Sequence, residues 1–437
     1  MAPHLNGTRS VATEDVSRRW FDDPRLNLAV GFEDTFVPQV RTGERSLDEY
    51  ELTDHYLNWY DDLGLLARTG ANQARWGVPW YRVNPERNVW RFDWLDRVVA
   101  RFAEIGVQPI VDLVHYGTPL WLDNGFVNHC FPERVAEYAA RVAERYAGEL
   151  TVFTPMNEPL LTAMYCGQYG HWPPHLRGDD GFVRLVGQLA KGICLTQRAV
   201  VEAGGAQTSF VHVEASFRFS GDISAFRDQV EFLSHRRFLV EDLVTGRVDD
   251  GHALVRYLLD NGMNDADLAW FHQYSVQPDV MGVNYYPQVS TERFVAGEAH
   301  DGGPNDLWPR DNAGVTGLAD VLLLAWRRYG RPVYLTETSW PGPVNERIAW
   351  MDASMAAVDE MRSGGVPVIG YCWWSLFDML FWTYRTELGE PQEYLAGMGL
   401  WDLAPDDVGH FRRIETAAAD HFRRHAAQRR GAGSRSA

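Results

Sequence analysis

Two kinds of segment alternate along this chain. LNLAVGF (26–32) is a short apolar run of strand character, whereas LTDHYLNWYDDLGLLARTG (52–70) spaces its apolar residues at helical intervals and stops at a glycine. NQARWGV (72–78) precedes a helical pattern over 92–106, and VQPIVDLVHY (107–116) precedes another over 132–148. TVFTPMNEP (151–159) is followed by a helix within 181–204, and QTSFVHVEA (207–215) by helical material over 226–244. DVMGVNYY (279–286) leads to a helix at 317–330, and RPVYLTETSW (331–340) to one at 346–364. VPVIGYCWWSL (366–376) comes before the last helix, about 409–426.

Apolar runs bounded by helices are the pattern of parallel strands buried on both faces. Eight such units predict an α/β fold closed as a (β/α)8 TIM barrel. An open, doubly wound sheet would want a Gly-rich phosphate turn after an early strand, and VGFEDTF is not one. The long connections, roughly 159–180, 245–278, 287–316 and 377–408, are read as following strands or extending the βα side, the face that carries the active site of such a barrel. One barrel domain is therefore expected over 21–428, after a flexible segment 1–20 and before a disordered basic tail, 429–437.

Composition narrows the partners. The net charge of −18 disfavours nucleic acid and an anionic membrane surface, and no apolar run approaches membrane-spanning length. The first residues lack the apolar core of a signal peptide, and four scattered cysteines form no CxxC pair. Reduced thiols in a cytoplasmic protein are expected, with a small molecule as partner; a homo-oligomer stays open. The 17 Trp, 18 Tyr and 21 Phe would also suit a site that stacks on sugar rings.

Two glutamates stand where strands run into the barrel mouth: Glu158 after strand 4 and Glu337 in strand 7. A carboxylate is costly to desolvate there unless something uses it. Retaining cleavage of a glycosidic bond needs two carboxyls about 5–5.5 Å apart, one to protonate the leaving oxygen and one to attack the anomeric carbon. Strands 4 and 7 lie across the barrel from each other, which suits that task. Taken singly, Glu158 also reads as a turn cap before Pro159, and Glu337 as an ion pair with Arg75.

At this point the chain resembles a known family. LTVFTPMNEP (150–159) resembles the strand-4 signature of retaining glycoside hydrolases of the (β/α)8 clan. Five further stretches, in the same order, are similar to glycoside hydrolase family 1, the β-glucosidase family. They are ARWGVPWYRVNPE, the segment from VHYGTPLW to RYAGEL, MGVNYYPQ, GYCWWSLFDMLFW and GLWDL. The resemblance spans about residues 26–425 and implies roles by position. Glu158 would be the acid/base and Glu337 the nucleophile; Asn157 would donate to the sugar 2-hydroxyl. Arg75 and Tyr286 would hold Glu337 ionised, His115 would bond the 3-hydroxyl, and Trp374 would underlie the ring. Asn284 and Trp382 join the substrate-binding set. His115 as a core histidine and Trp374 as barrel packing are the bland alternatives.

The departures concern the sugar. Phe381 stands where the family has a glutamate gripping the 4- and 6-hydroxyls, and Met379 replaces an asparagine. Glu33 and Asp34 occupy the place of a strand-1 glutamine, Tyr116 replaces a tryptophan, and TETSW replaces Glu-Asn-Gly. A phenyl ring cannot accept a hydroxyl hydrogen bond, so a 6-hydroxyl would go unpaired at roughly 1–3 kcal/mol. The expected substrate is a 6-deoxy sugar or a glycosylated natural product held through its aglycone. A biosynthetic enzyme using the same glutamates for cyclisation, and a non-catalytic carbohydrate-binding protein, are the other readings. No cofactor or metal is expected. The nearest ligand candidate, His-Val-Glu at 212–214, reads as substrate-facing or structural.

Overall fold

The computed structural model describes residues 19–205, 207–297 and 309–433. Eight strands close into a barrel: β1 (Asn27–Gly31), β2 (Gln73–Gly77), β3 (Gln108–Asp112), β4 (Val152–Thr154), β5 (Ser209–Ala215), β6 (Val280–Asn284), β7 (Val333–Thr338) and β8 (Val368–Trp373). Every neighbour is parallel, and β1 completes the ring by pairing with both β2 and β8. The expected (β/α)8 architecture is what forms.

The outer helices are α1 (His55–Thr69), α2 (Asp93–Ile105), α3 (Phe131–Arg145), α4 (Gly178–Gly204), α5 (Leu239–Val244), α6 (Gly314–Tyr329), α7 (Val344–Ser363) and α8 (Ala417–Gly433). An additional helix, Arg227–Arg236, precedes α5. Glycines in the left-handed region end α1 at Gly70, α2 at Gly106 and α6 at Gly330, as their sequence positions suggested. Two boundaries differ from expectation. The last helix starts at Ala417 rather than 409, because Asp406 and Gly409 (φ 93°) turn the chain into an antiparallel hairpin, Trp401–Pro405 with Phe411–Glu415. That helix runs on through Gly433, so residues 429–433 continue it, and 434–437 lie outside the described residues.

Side chains alternate along each strand between two cores. Ala29, Ile110, Val152, Val211, Val213, Val280 and Tyr334 fill the barrel interior. Val30, Trp76, Val111, Phe153, Phe210 and Leu335 pack outward against the helices. In β2 the same alternation leaves Gln73 and Arg75 on the inner face. Gln73 is satisfied low in the barrel by Tyr334 (3.1 Å) and Gln108 (2.8 Å); Arg75 sits one inward step nearer the mouth. The expected flexible start, 1–20, lies outside the described residues except for Arg19 and Trp20. Trp20 packs against the inner core and donates its indole N–H to Ser209 Oγ at 2.8 Å. Among the described residues no helix is long and apolar enough to cross a membrane.

Register breaks cluster near the C-terminal rim. β7 slips against β6 between Leu335 and Glu337, and against β8 between Leu335 and Thr338. Such irregularities re-aim side chains beside sites. At the end of β1, Gly31 is required by contact rather than by φ: a Cβ there would fall 2.0 Å from the Trp374 ring. Gly31→Ala should therefore displace that indole and lower stability by about 1–3 kcal/mol, measured as a shifted urea midpoint.

Candidate active site

The Asn157–Glu158–Pro159 triplet has a local explanation. Asn157 bridges to Val213 of β5, and the Glu158 N–H donates to the Val213 carbonyl at 3.1 Å. Pro159 opens a short helix, Pro159–Ala163, where its missing N–H is harmless. Glu158 is the cap residue before that helix, at φ 42°, a left-handed conformation that is uncommon for a non-glycine residue. Glu214 of β5 accepts the Leu160 N–H at 3.0 Å and so secures the start of the helix. The turn is bonded to strand β5 rather than suspended in a loop.

One buried hydrogen-bonded net joins the strand ends. Arg75 donates to Glu337 Oε1, to Asn157 Oδ1 (2.6 Å) and, from Nε, to Asp112 Oδ1 (3.2 Å). The Tyr286 hydroxyl donates to Glu337 Oε2 at 2.7 Å. Asn284 donates to Glu158 Oε1 at 2.8 Å and to Asn157 Oδ1 at 3.2 Å, while its own oxygen accepts from Thr336 (2.7 Å). The Tyr116 hydroxyl donates to Glu158 Oε2. His115 donates from Nδ1 to Asp34 at 2.6 Å and faces the Asn157 amide nitrogen with Nε2 at 2.8 Å. Glu33 is held by Thr35 and by the Trp374 indole N–H at 2.7 Å. The Arg75 guanidinium lies 4.7 Å from the Trp374 ring centre.

Charge within this net is unevenly shared. Burial raises the Glu158 carboxyl, with the Tyr116 and Asn284 donors pulling back. Burial also pushes the Glu337 carboxyl up, Arg75 pulls it down, and the charge of Glu158 adds to the upward push. At neutral pH such a pair holds one proton between its members. Glu337 touches a guanidinium and Glu158 only neutral donors, so the proton sits on Glu158 and the charge on Glu337. One ionised carboxylate and one protonated acid in the same cavity can supply a nucleophile and a proton donor.

Asn157 settles the state of His115. With two donors on its Oδ1, its amide nitrogen must donate to His115 Nε2, which requires a neutral ring protonated on Nδ1. That geometry prevails although burial is outweighed by Asp34, Asp112 and Glu33, which draw the ring's pKa upward.

Of the sequence-predicted residues, Glu33, Arg75, His115, Tyr116, Asn157, Glu158, Asn284, Tyr286, Glu337 and Trp374 are all brought into this net. The structure agrees with the bland readings of both, Arg75 as an ion-pair partner of Glu337 and Trp374 as a buried packing element. Trp382 packs its ring 5.5 Å from Tyr116 and 5.0 Å from Trp172. Phe381 does not join. It is extended at the start of a 3-10 turn that turns Trp382 inward, and it stays 51% exposed. Among the described residues its ring pairs with no other. Asp112, Thr336, Tyr165 and Trp172 were missed. Asp112 carried a usable signal, a lone carboxylate inside the apolar run PIVDLV.

Two clusters of described residues have ligand-type atoms close together. In Asp34–Asp112–His115 the guanidinium of Arg75 pairs with Asp112, and His115 Nδ1 is spent on Asp34. In Asp352–His421–His425, Arg424 and Arg429 donate to the two Nδ1 atoms, so both Nε2–H groups donate to Asp352. His212 spends its nitrogens on Glu241 and Gln197.

Comparison with known proteins agrees with this geometry. Residues 30–203 match the model of glycosyl hydrolase family 1. A bifunctional β-D-glucosidase/β-D-fucosidase of Bifidobacterium breve is 29% identical over 420 residues, covering 85% of this chain and 88% of that protein. β-Glucosidase A of Thermotoga maritima is 25% identical over 360 residues, covering 75% and 79%. Among solved structures, the family 1 β-glucosidase from Thermotoga maritima in complex with isofagomine lactam superposes with a TM-score of 0.76. That likeness, at 17% identity over 93% of this chain and 98% of the other, concerns the fold.

Arg75→Met should cost about 3–5 kcal/mol at pH 7.5 in a urea titration, because Glu337 and Asp112 lose their shared cation. Burial pushes Asp112 up, but Arg75 and His115 outweigh it and hold its pKa below the usual carboxylate range. A depressed carboxyl contributes stability above its unfolded pKa and loses it as pH falls. The deficit of the variant should therefore begin to narrow only as pH falls below about 4, the unfolded value, toward the lower folded one.

Proposed function

We propose, from the premise that this chain is a β-glucosidase-like member of glycosyl hydrolase family 1, that Glu337 and Glu158 carry out its retaining hydrolysis of a β-glycoside. Glu337 attacks the anomeric carbon as Glu158 gives its proton to the leaving oxygen, forming a glycosyl–enzyme ester. Water then attacks that carbon, Glu158 takes the water's proton, and the Glu337 ester bond breaks. The observation that carries the assignment is the asymmetry of the pair: Glu337 is pinned by Arg75 and Tyr286, and Glu158 by an amide and a phenol. Asn157, through its remaining amide N–H, and Glu33 are suited to the ring hydroxyls, with His115 orienting Asn157 and Trp374 beneath the sugar. Four free cysteines fit a reducing, cytoplasmic setting.

The preferred glycone in this reading is a 6-deoxy hexose. Residue 381 supplies no carboxylate to grip a 6-hydroxyl: it is a phenylalanine, 51% exposed and outside the net. The similarity to a protein named for β-D-fucosidase as well as β-D-glucosidase activity supports it, D-fucose being a 6-deoxy sugar. Beside Glu158, where the leaving group departs, the Tyr116, Tyr165, Trp172 and Trp382 rings sit 4.8–5.5 Å apart in successive contacts. That wall suits a planar aglycone, as on a glycosylated natural product.

A 2-deoxy-2-fluoro β-glycoside should label the peptide containing Glu337, as read by mass spectrometry; a labelled protein with the tag elsewhere would overturn the assignment. Glu158→Gln should lower turnover of poorly activated aryl glycosides by about 10²–10⁴-fold. If wild-type protein neither labels nor turns over any aryl glycoside, the cyclisation reading takes precedence. In a panel of p-nitrophenyl β-glycosides, kcat/KM for the fucoside should exceed that for the glucoside by about tenfold. A clear preference for glucoside would refute the 6-deoxy preference.

A further inference from the structure

We propose that Tyr116 is a positioning residue for the acid/base: its phenol holds Glu158 through the very oxygen that delivers and recovers the proton. The inference rests on the assignment of Glu158 as acid/base. Among the described residues only Asn284 and Tyr116 hydrogen-bond to the Glu158 carboxyl, and they divide its oxygens between them. Oε1 faces an amide N–H whose orientation is locked, since the Asn284 oxygen accepts from Thr336. Each oxygen keeps one site free of these donors, and we place the acid proton on the free site of Oε2, the oxygen on the side of the ring wall. Oε2 has two lone-pair sites; one carries the acid proton and the other accepts the phenol.

The phenol is itself immobilised. Tyr116 is buried and adopts φ 72°, a left-handed conformation that throws its ring across the mouth rather than along the strand. Its ring is packed by His115 at 4.7 Å, Trp172 at 5.1 Å and Trp382 at 5.5 Å. A neutral donor strengthens its hydrogen bond as the acceptor becomes charged. In the first half-reaction Oε2–H passes its proton to the glycosidic oxygen and the C1–O bond breaks. The resulting carboxylate is then held at Oε2 by Tyr116 and at Oε1 by Asn284 until water attacks and returns a proton to it. Tyr116 thus offsets part of the upward push that burial exerts on Glu158.

Other groups face Glu158 as well. Arg75 from β2 favours its ionised form, and His115 after β3 lies close by. Glu337 from β7 and Glu214 from β5 lie close enough to interact with its charge, as do Tyr286 after β6 and Tyr165 beyond the short helix. None of these touches Oε2. The phenol is the one contact that a single-atom deletion removes.

Tyr116→Phe keeps the ring and deletes only the donor. Loss of a donor to the carboxylate raises the Glu158 pKa, so the alkaline limb of kcat/KM, which requires protonated Glu158, should move up by about 0.5–1 pH unit. A purely structural ring would reduce activity without moving that limb, and an unmoved limb overturns the proposal. Should Tyr116→Phe fail to fold, 3,5-difluorotyrosine installed at position 116 preserves the shape and makes a stronger donor. The limb should then move down, and no movement again overturns the proposal. Labelling by the 2-deoxy-2-fluoro β-glycoside, measured alongside, separates the two failures. Wild-type labelling at Glu337 with an unmoved limb sinks only the role of Tyr116, whereas labelling elsewhere sinks the assignment beneath it.

Discussion

A guanidinium with no access to solvent, bonded at once to carboxyls from β3 and β7 and to the amide that precedes Glu158, sets the terms for everything at this barrel mouth. Arg75 is fully buried, and a lone cation there would be prohibitively costly. It is tolerated because Asp112 and Glu337 return its charge and Asn157 uses a further donor. Those partners are in turn tolerated because Arg75 is there. Removing any member leaves a buried group unpaired, which is why the net behaves as a unit. Its surplus of acids over cations is what leaves a proton on the pair Glu158–Glu337.

The wall of rings above this net has a different character. Tyr116, Tyr165, Trp172 and Trp382 are supplied by connections after β3, β4 and β8, and they meet edge to face or tilted rather than as a flat stack. Such packing is stable without a ligand and still presents apolar surface next to Glu158. The polar floor thereby comes from strands and the apolar upper wall from loops, a division that suits a sugar below and a planar group above.

The barrel was legible because its strands are buried on both faces and its helices end at glycines, two signals that survive without any tertiary information. Glu158, Glu337, Arg75, Asn157 and His115 were legible as polar residues at the ends of apolar runs, reinforced by family likeness. Asp112 gave the same signal and was passed over inside PIVDLV. Tyr165 and Trp172 were not legible, since they lie on an irregular connection whose path depends on what it packs against. The hairpin before α8 was hidden for a related reason: FRRIE has no clean alternation, and the turn at Asp406–Gly409 is what dictates it. Phe381 stays outside the net because which of two adjacent residues points inward depends on the 3-10 turn that begins there.

Because the Glu158 turn is fastened by main-chain bonds to β5, and Glu337 is itself part of β7, the gap between the two carboxyls is fixed by staves of the barrel. The loops that meet the departing half of the substrate do not set that gap. Insertions, deletions and new side chains can therefore accumulate above the rim without detuning the spacing below. A chain built this way is free to exchange one leaving group for another over evolutionary time while its bond-breaking apparatus stays in place.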